Sequence, residues 1–263
     1  MDKLLYVLKN FFTHKDFLDR DMLIGTMFTP LQFVMSAIVL GLVIFFAILI
    51  KKKYSEKAFK RVLTIIWACL VAFEVIKITW ETFSGREVRF EVFGDLPLYP
   101  CSIIMYALPF AIWGNEIMKK CACGYVCTLG LLGAMVNFFY PVTVLPNYSA
   151  ISFAGFHTML YHGAMLFCAL AMIITGYHSY KCEKWYELIF PSVASLIVSI
   201  PAVIIDYALE VDYMWFRGTS FFLPAIFGDT PKAVVTIIIY ILYIVVPALF
   251  YLPSFIKNKK SRN

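Results

Sequence analysis

A chain of 263 residues in which 61% are apolar, 17% aromatic and only 15% charged is too greasy for a single soluble domain, where about a quarter of residues carry charge. The net charge of +6 does not point to nucleic acid, because the basic residues cluster in short segments between long apolar runs, where they act as topology signals. Composition therefore predicts an all-α, polytopic membrane protein.

Residues 1–28 lack an uninterrupted apolar core and carry charges throughout, from Lys3 and Lys9 to Lys15, Asp16, Asp19, Arg20 and Asp21, so they do not read as a cleavable signal peptide. Leu4, Leu5, Leu8, Phe11 and Phe12 recur there at helical spacing, which predicts a short amphipathic helix lying at the membrane surface. About seven spans follow, at 29–50, 60–82, 96–113, 120–140, 153–176, 185–209 and 232–254, most near the ~20 residues that ~30 Å of hydrocarbon requires. They form one membrane domain, 29–254, with a basic tail at 255–263. The third span is short. Pro97 and Pro100 suit its first turn, where a missing N–H costs nothing, and Pro109 should kink it beside a cavity.

Lys51, Lys52, Lys53, Lys57, Lys60, Arg61, Lys119, Lys120, Lys181, Lys184, Lys257, Lys259, Lys260 and Arg262 all fall on one side of this arrangement. The other side holds the four basic residues of the N-terminal segment, Arg86, Arg89, Arg217 and Lys232. The positive-inside rule then places the N-terminus outside and the C-terminus in the cytoplasm, in the cell membrane. The loops Ser84 to Asp95 and Glu210 to Thr230 lie outside, the first expected over the mouth of span three.

An ionisable side chain within hydrocarbon is costly unless paired or facing a watered cavity, so such residues are site candidates. Glu74, Lys77, Cys101, Asn137, His157, His162 and Asp206 all fall between about 4 and 13 Å from the outer end of their spans at ~1.5 Å per residue, which points to one polar cavity opening outward. Plainer roles stand beside each. Glu74 and Lys77, three apart, can pair within one helix. Asp206, near a helix end, can reach water or headgroups, and Asn137 can bridge two helices. His157 and His162 are five apart and point about 140° away from each other, which excludes the same-face pair of metal-binding helices. One of them at most faces the cavity.

Seven cysteines is an odd count, and Cys69, Cys101, Cys127 and Cys168 fall within apolar runs, which argues against a disulfide framework. Cys121, Cys123 and Cys127 lack a partner cluster, and packing or acylation beside Lys119 and Lys120 suits them better than metal. No cofactor is expected. Cys101 stands apart because it follows Pro100 in the first turn of span three, where the helix macrodipole favours an anion. Apolar surroundings oppose that anion, so a thiolate nucleophile there needs a base such as histidine.

Leu96-Pro97-Leu98-Tyr99-Pro100-Cys101, together with Phe156-His157 and Tyr161-His162-Gly163, resembles the YwaF-type family of integral membrane proteins. Glu74 with Lys77 and Trp80 is similar to a further family mark, as is Asp212-Tyr213-Met214-Trp215, where the family usually carries Asn at the position of Asp212. That family is similar to eukaryotic transmembrane phospholipid acyltransferases, and these in turn to androgen-induced membrane hydrolases of fatty-acid esters. The acyltransferase nucleophile sits in an Asn-Pro-Cys segment, which Tyr99-Pro100-Cys101 matches at Pro and Cys, and the matching histidine falls on His162. The resemblance implies a lipid substrate and Cys-His acyl transfer or hydrolysis, with Cys101 and His162 catalytic. Glu74, Asp206 or His157 would orient, and Lys77 or Asn137 would steady an oxyanion or headgroup. A small-solute transporter, or a lipid-binding sensor without covalent chemistry, would use the same residues differently; no related halves favouring a transporter are visible.

Overall fold

The computed structural model describes residues 2–87, 96–220 and 223–260. Arg89, Arg262 and most of the Ser84 to Asp95 loop expected over span three lie outside the described residues. All regular structure among the described residues is helical.

Six helices are long and apolar enough to cross a membrane: α2 (Pro30–Lys52), α3 (Glu56–Ser84), α5 (Glu116–Phe139), α6 (Phe153–Thr175), α7 (Trp185–Leu209) and, after the short α8 (Leu223–Phe227), α9 (Lys232–Lys260). Local chemistry sets their ends. Pro30 opens α2, where the absent N–H is one the helix could not use, and Lys51 and Lys52 close it. Asn115 accepts from the Met118 N–H to cap α5, Ser152 accepts from the Gly155 N–H to cap α6, and Gly176 ends α6 at φ 76°, a left-handed turn that glycine adopts without strain.

The third apolar run differs from the others. Leu96 to Tyr99 are not helical, and a three-residue 3₁₀ turn, Pro100–Ser102, leads into α4 (Ile103–Trp113). Turn and helix together rise about 21 Å, short of the ~30 Å of hydrocarbon, so α4 starts inside the bundle. Pro109 stands within it and has no N–H for the Met105 carbonyl. The Trp67 indole of α3 donates to that carbonyl instead, at 3.0 Å.

α6 is the hub, with thirteen buried residues along its length, and α2, α3 and α5 pack around it. Gly163 lets α2 approach closely, since a Cβ there would lie 2.8 Å from Val39. Gln32 and Ser36, both buried on α2, donate to the Phe138 carbonyl near the end of α5 at 2.9 and 3.2 Å.

The connections sort to two ends. At one, the N-terminal segment meets the loops before α6 and after α3: Phe153 N–H donates to Phe11 O, Ala150 N–H to Gly25 O and the Arg86 guanidinium to Asp16 O. At the other, Lys119 lies 3.8 Å from Glu56 and Lys120 3.9 Å from Glu187, while Asn258 donates to Cys182 O at 2.9 Å. The first segment is α-helical only over α1 (Asp2–Lys9), followed by 3₁₀ turns at Lys15–Phe17 and Arg20–Met22, with Leu4, Leu5, Leu8 and Phe12 exposed and Val7 turned inward; Phe11 and Phe12 lie beyond α1, against Phe156 and Phe153.

Candidate functional site

Cys101 sits in the 3₁₀ turn that opens α4, half-buried, and one residue earlier the Tyr125 hydroxyl of α5 donates to the Pro100 carbonyl. That bond anchors the entry of α4 to α5, just ahead of a π-helical stretch at Val126–Gly130. π turns inside α-helices concentrate at functional sites, and the Pro100–Ser102 turn packs against this one. On the other side the Tyr99 ring meets Tyr213 edge-on, centroids 4.9 Å apart.

Glu74 and Lys77 form the pair expected within α3, with Nζ to Oε1 at 2.9 Å and the carboxylate buried. Both lie within electrostatic reach of Cys101. Glu74 also reaches His162. Thiol and imidazole therefore feel the charge of the same carboxylate, and no hydrogen bond joins Cys101 to His162 among the described residues.

The two histidines are anchored differently. The Nδ1 of His162 lies 2.7 Å from the Thr158 carbonyl one turn earlier. A carbonyl only accepts, so Nδ1 carries the proton and Nε2 keeps the lone pair, the tautomer a general base requires. The Nε2 of His157 lies 3.1 Å from the Phe73 carbonyl of α3, so there Nε2 carries the proton and Nδ1 the lone pair. The ring of His157 stacks on Tyr161 at 5.8 Å.

Asn137 accepts from the Thr158 hydroxyl at 3.4 Å, bridging α5 to α6, and its Nδ2 is buried without a partner. Tyr161, which the sequence pattern did not single out, has a buried hydroxyl with no partner and lies within electrostatic reach of Cys101, Glu74, Tyr106 and Tyr125. Unpaired buried donors are rare, and the Tyr161 hydroxyl, within electrostatic reach of the candidate nucleophile, is the raw material of an oxyanion site. A hydroxyl-bearing aromatic directly before His162 was the available signal. It is masked by the sixteen tyrosines of the chain.

Asp206 is placed elsewhere. It is fully buried on α7, and its Oδ1 accepts from the Tyr213 N–H at 2.6 Å while Oδ2 is unpartnered. The turn it holds is strained: Glu210, Met214 and Trp215 all adopt positive φ. Asp212 ties the same turn through the backbone N–H groups of Arg217, Thr219 and Ser220 at 2.7 to 2.8 Å.

A cavity of about 100 Å³ opens at the N-terminal end of the bundle, with Lys77 and His157 in its wall beside Lys15, Trp80, Glu81 and Asn147. No cluster of three His, Cys, Asp or Glu side chains able to hold a metal occurs among the described residues. Cys123 and Cys127 are buried, the latter with its sulfur 3.8 Å from the Ala169 carbonyl.

Comparison with curated proteins and with solved structures finds no match. Over residues 27–258, which take in every helix from α2 to nearly the end of α9, the sequence fits the TMEM164 family model, and this multi-pass membrane protein belongs to the TMEM164 family.

Proposed function

We propose that the protein is a cysteine-dependent lipid acyltransferase or lipid hydrolase of the cell membrane, acting on phospholipid or fatty-acyl esters. What supports the reading is that Cys101 and His162 each lie within electrostatic reach of the buried Glu74 carboxylate, with the His162 tautomer fixed by the Thr158 carbonyl. A thiol brought to an imidazole whose second nitrogen is already bonded becomes an activated nucleophile, and in the proposed cycle the bound ester completes that approach.

In the proposed cycle Nε2 of His162 takes the thiol proton as Sγ of Cys101 attacks the ester carbonyl. The tetrahedral oxyanion is met by the unpaired donors of Tyr161 and Asn137. The C–O bond then breaks, His162 returns its proton to the departing alkoxide, and a thioester remains on Cys101. A lysolipid hydroxyl or a water attacks the thioester, the C–S bond breaks, and the proton passes back through His162 to sulfur. Glu74 steadies the imidazolium that forms twice in each cycle, and Lys77 balances Glu74 between those moments.

Alkylation of purified protein tests the nucleophile. Cys101 is expected to react with iodoacetamide at least about tenfold faster than any of the other six thiols, and His162→Ala should remove that advantage. Equal rates at Cys101 and the buried Cys168 would oppose the reading.

A further inference from the structure

The cavity at the N-terminal end carries charged groups that acyl transfer chemistry alone does not require. Its cationic groups come from two parts of the chain: Lys15 from the N-terminal segment and Lys77 from α3. Lys15 is held in place by its backbone N–H, which donates to the Tyr148 hydroxyl at 3.2 Å, and its ammonium makes no ion pair among the described residues. Lys77 spends one N–H on Glu74, at 2.9 Å, and keeps two. The carboxylate in the wall, Glu81, is engaged by Nε2 of His14 at 3.1 Å. A carboxylate only accepts, so Nε2 is the donor to Glu81, while Nδ1 lies 3.2 Å from the Asp16 carboxylate and 3.3 Å from the Asp16 backbone nitrogen. The side-chain amide of Asn147 adds neutral donors.

Size narrows the ligand. A space of about 100 Å³ is below the ~300 Å³ of pockets that take drug-sized molecules, which suits a compact polar group rather than a whole lipid. We propose that this cavity binds a phosphate group, carried by a phospholipid headgroup or free in solution, between the ammonium groups of Lys15 and Lys77. Trp80 and Tyr148 in the wall are the aromatic types that settle at headgroup depth, with an apolar body and a polar tip. The lipid arm of the proposal rests on the reading of a lipid ester as substrate: Lys77 belongs to the cavity wall and pairs at 2.9 Å with Glu74, the carboxylate of the proposed cycle, so a headgroup phosphate held there would be joined to the acyl-transfer residues through that pair.

The test uses the full chain in maltoside micelles, as Cys101→Ala so that no acyl group can be transferred, and follows binding by microscale thermophoresis. The probes are 1-myristoyl-lysophosphatidylglycerol, 1-monomyristoylglycerol, which lacks the phosphate, and inorganic phosphate. Lysophosphatidylglycerol should bind at least tenfold tighter than monomyristoylglycerol, and Lys15→Gln should weaken it about fivefold without changing monomyristoylglycerol binding. Lys77→Gln strips Glu74 of its partner and endangers folding, so Lys15→Gln is the deciding variant, with Lys119→Gln at the opposite end as the unaffected control. Competition by millimolar inorganic phosphate identifies free phosphate as a ligand, and its absence identifies the headgroup. Equal affinity for the two lipids together with no binding of inorganic phosphate, or a Lys15→Gln protein that binds its phosphate-bearing probe as well as its parent, overturns the proposal. Because these measurements bypass Cys101, phosphate selectivity without any thioester in the parent protein would retain the cavity assignment and reject acyl transfer, and the reverse pattern would do the opposite.

Discussion

At the scale of single residues, what decides chemistry is which atom of an imidazole holds the proton. Thr158 and Phe73 carbonyls answer that for His162 and His157, because neither oxygen can donate. His178 shows the same logic outside the membrane-spanning helices. Burial lowers its pKa from the ordinary 6.5 to about 4, and its Nε2 lies 2.7 Å from the Tyr251 hydroxyl of α9. With the folded value below the unfolded one, the unfolded chain takes up the proton more readily as pH falls below 6.5. Stability from this group is therefore complete above pH 6.5, declines as pH drops toward 4 and levels off below it. Thermal unfolding in detergent at pH 7.5 and pH 5 should show a smaller acid-induced drop in His178→Gln than in the parent. Equal drops would contradict the assignment.

At the scale of elements, α4 illustrates how a helix breaker becomes a tether. Pro109 frees the Met105 carbonyl, and Trp67 supplies the missing donor from α3. Trp67→Phe leaves that carbonyl unpaired in the interior and should cost about 1–3 kcal/mol. The loss would appear in thermal unfolding, and an unchanged midpoint would show that the indole bond is dispensable. Asp206 performs comparable work for the turn after α7. Asn keeps an acceptor for the Tyr213 N–H, so Asp206→Asn should fold with near-parental stability, whereas Asp206→Ala should lose about 1–3 kcal/mol and loosen the strained Met214-Trp215 turn. Limited proteolysis between Glu210 and Thr219 would report that loosening. The periodic apolar runs made the helices legible in sequence, because a span of ~20 apolar residues has few alternatives. The role of Asp206 was not legible, because its partner is a backbone N–H seven residues on, in a turn whose positive φ values sit at Met and Trp, residue types that give no sign of such a conformation.

At the scale of the molecule, the two sets of connections expected from alternating spans do segregate to opposite ends, tied by Phe11 to Phe153 at one and by Cys182 to Asn258 at the other. The candidate site was legible as a set of residue types: Glu74, Lys77, Cys101, Asn137 and the histidines stood out as polar groups in apolar helices. Its assembly was not, since it depends on how α3, α4, α5 and α6 pack, on the depth at which α4 begins, and on Tyr125 and Tyr161, ordinary residues in a chain with so many aromatics. The same packing underlies the proposal that Cys101 takes an acyl group from a lipid ester with His162 as its base. Intact-mass analysis after incubation with a short-chain phospholipid is its sharpest test. The expected product is a hydroxylamine-sensitive adduct of one acyl chain that maps to Cys101, disappears in Cys101→Ala and falls at least about tenfold in His162→Ala while His157→Ala retains most of it. No adduct on the folded parent protein, or one that survives in Cys101→Ala, would refute acyl transfer through this thiol.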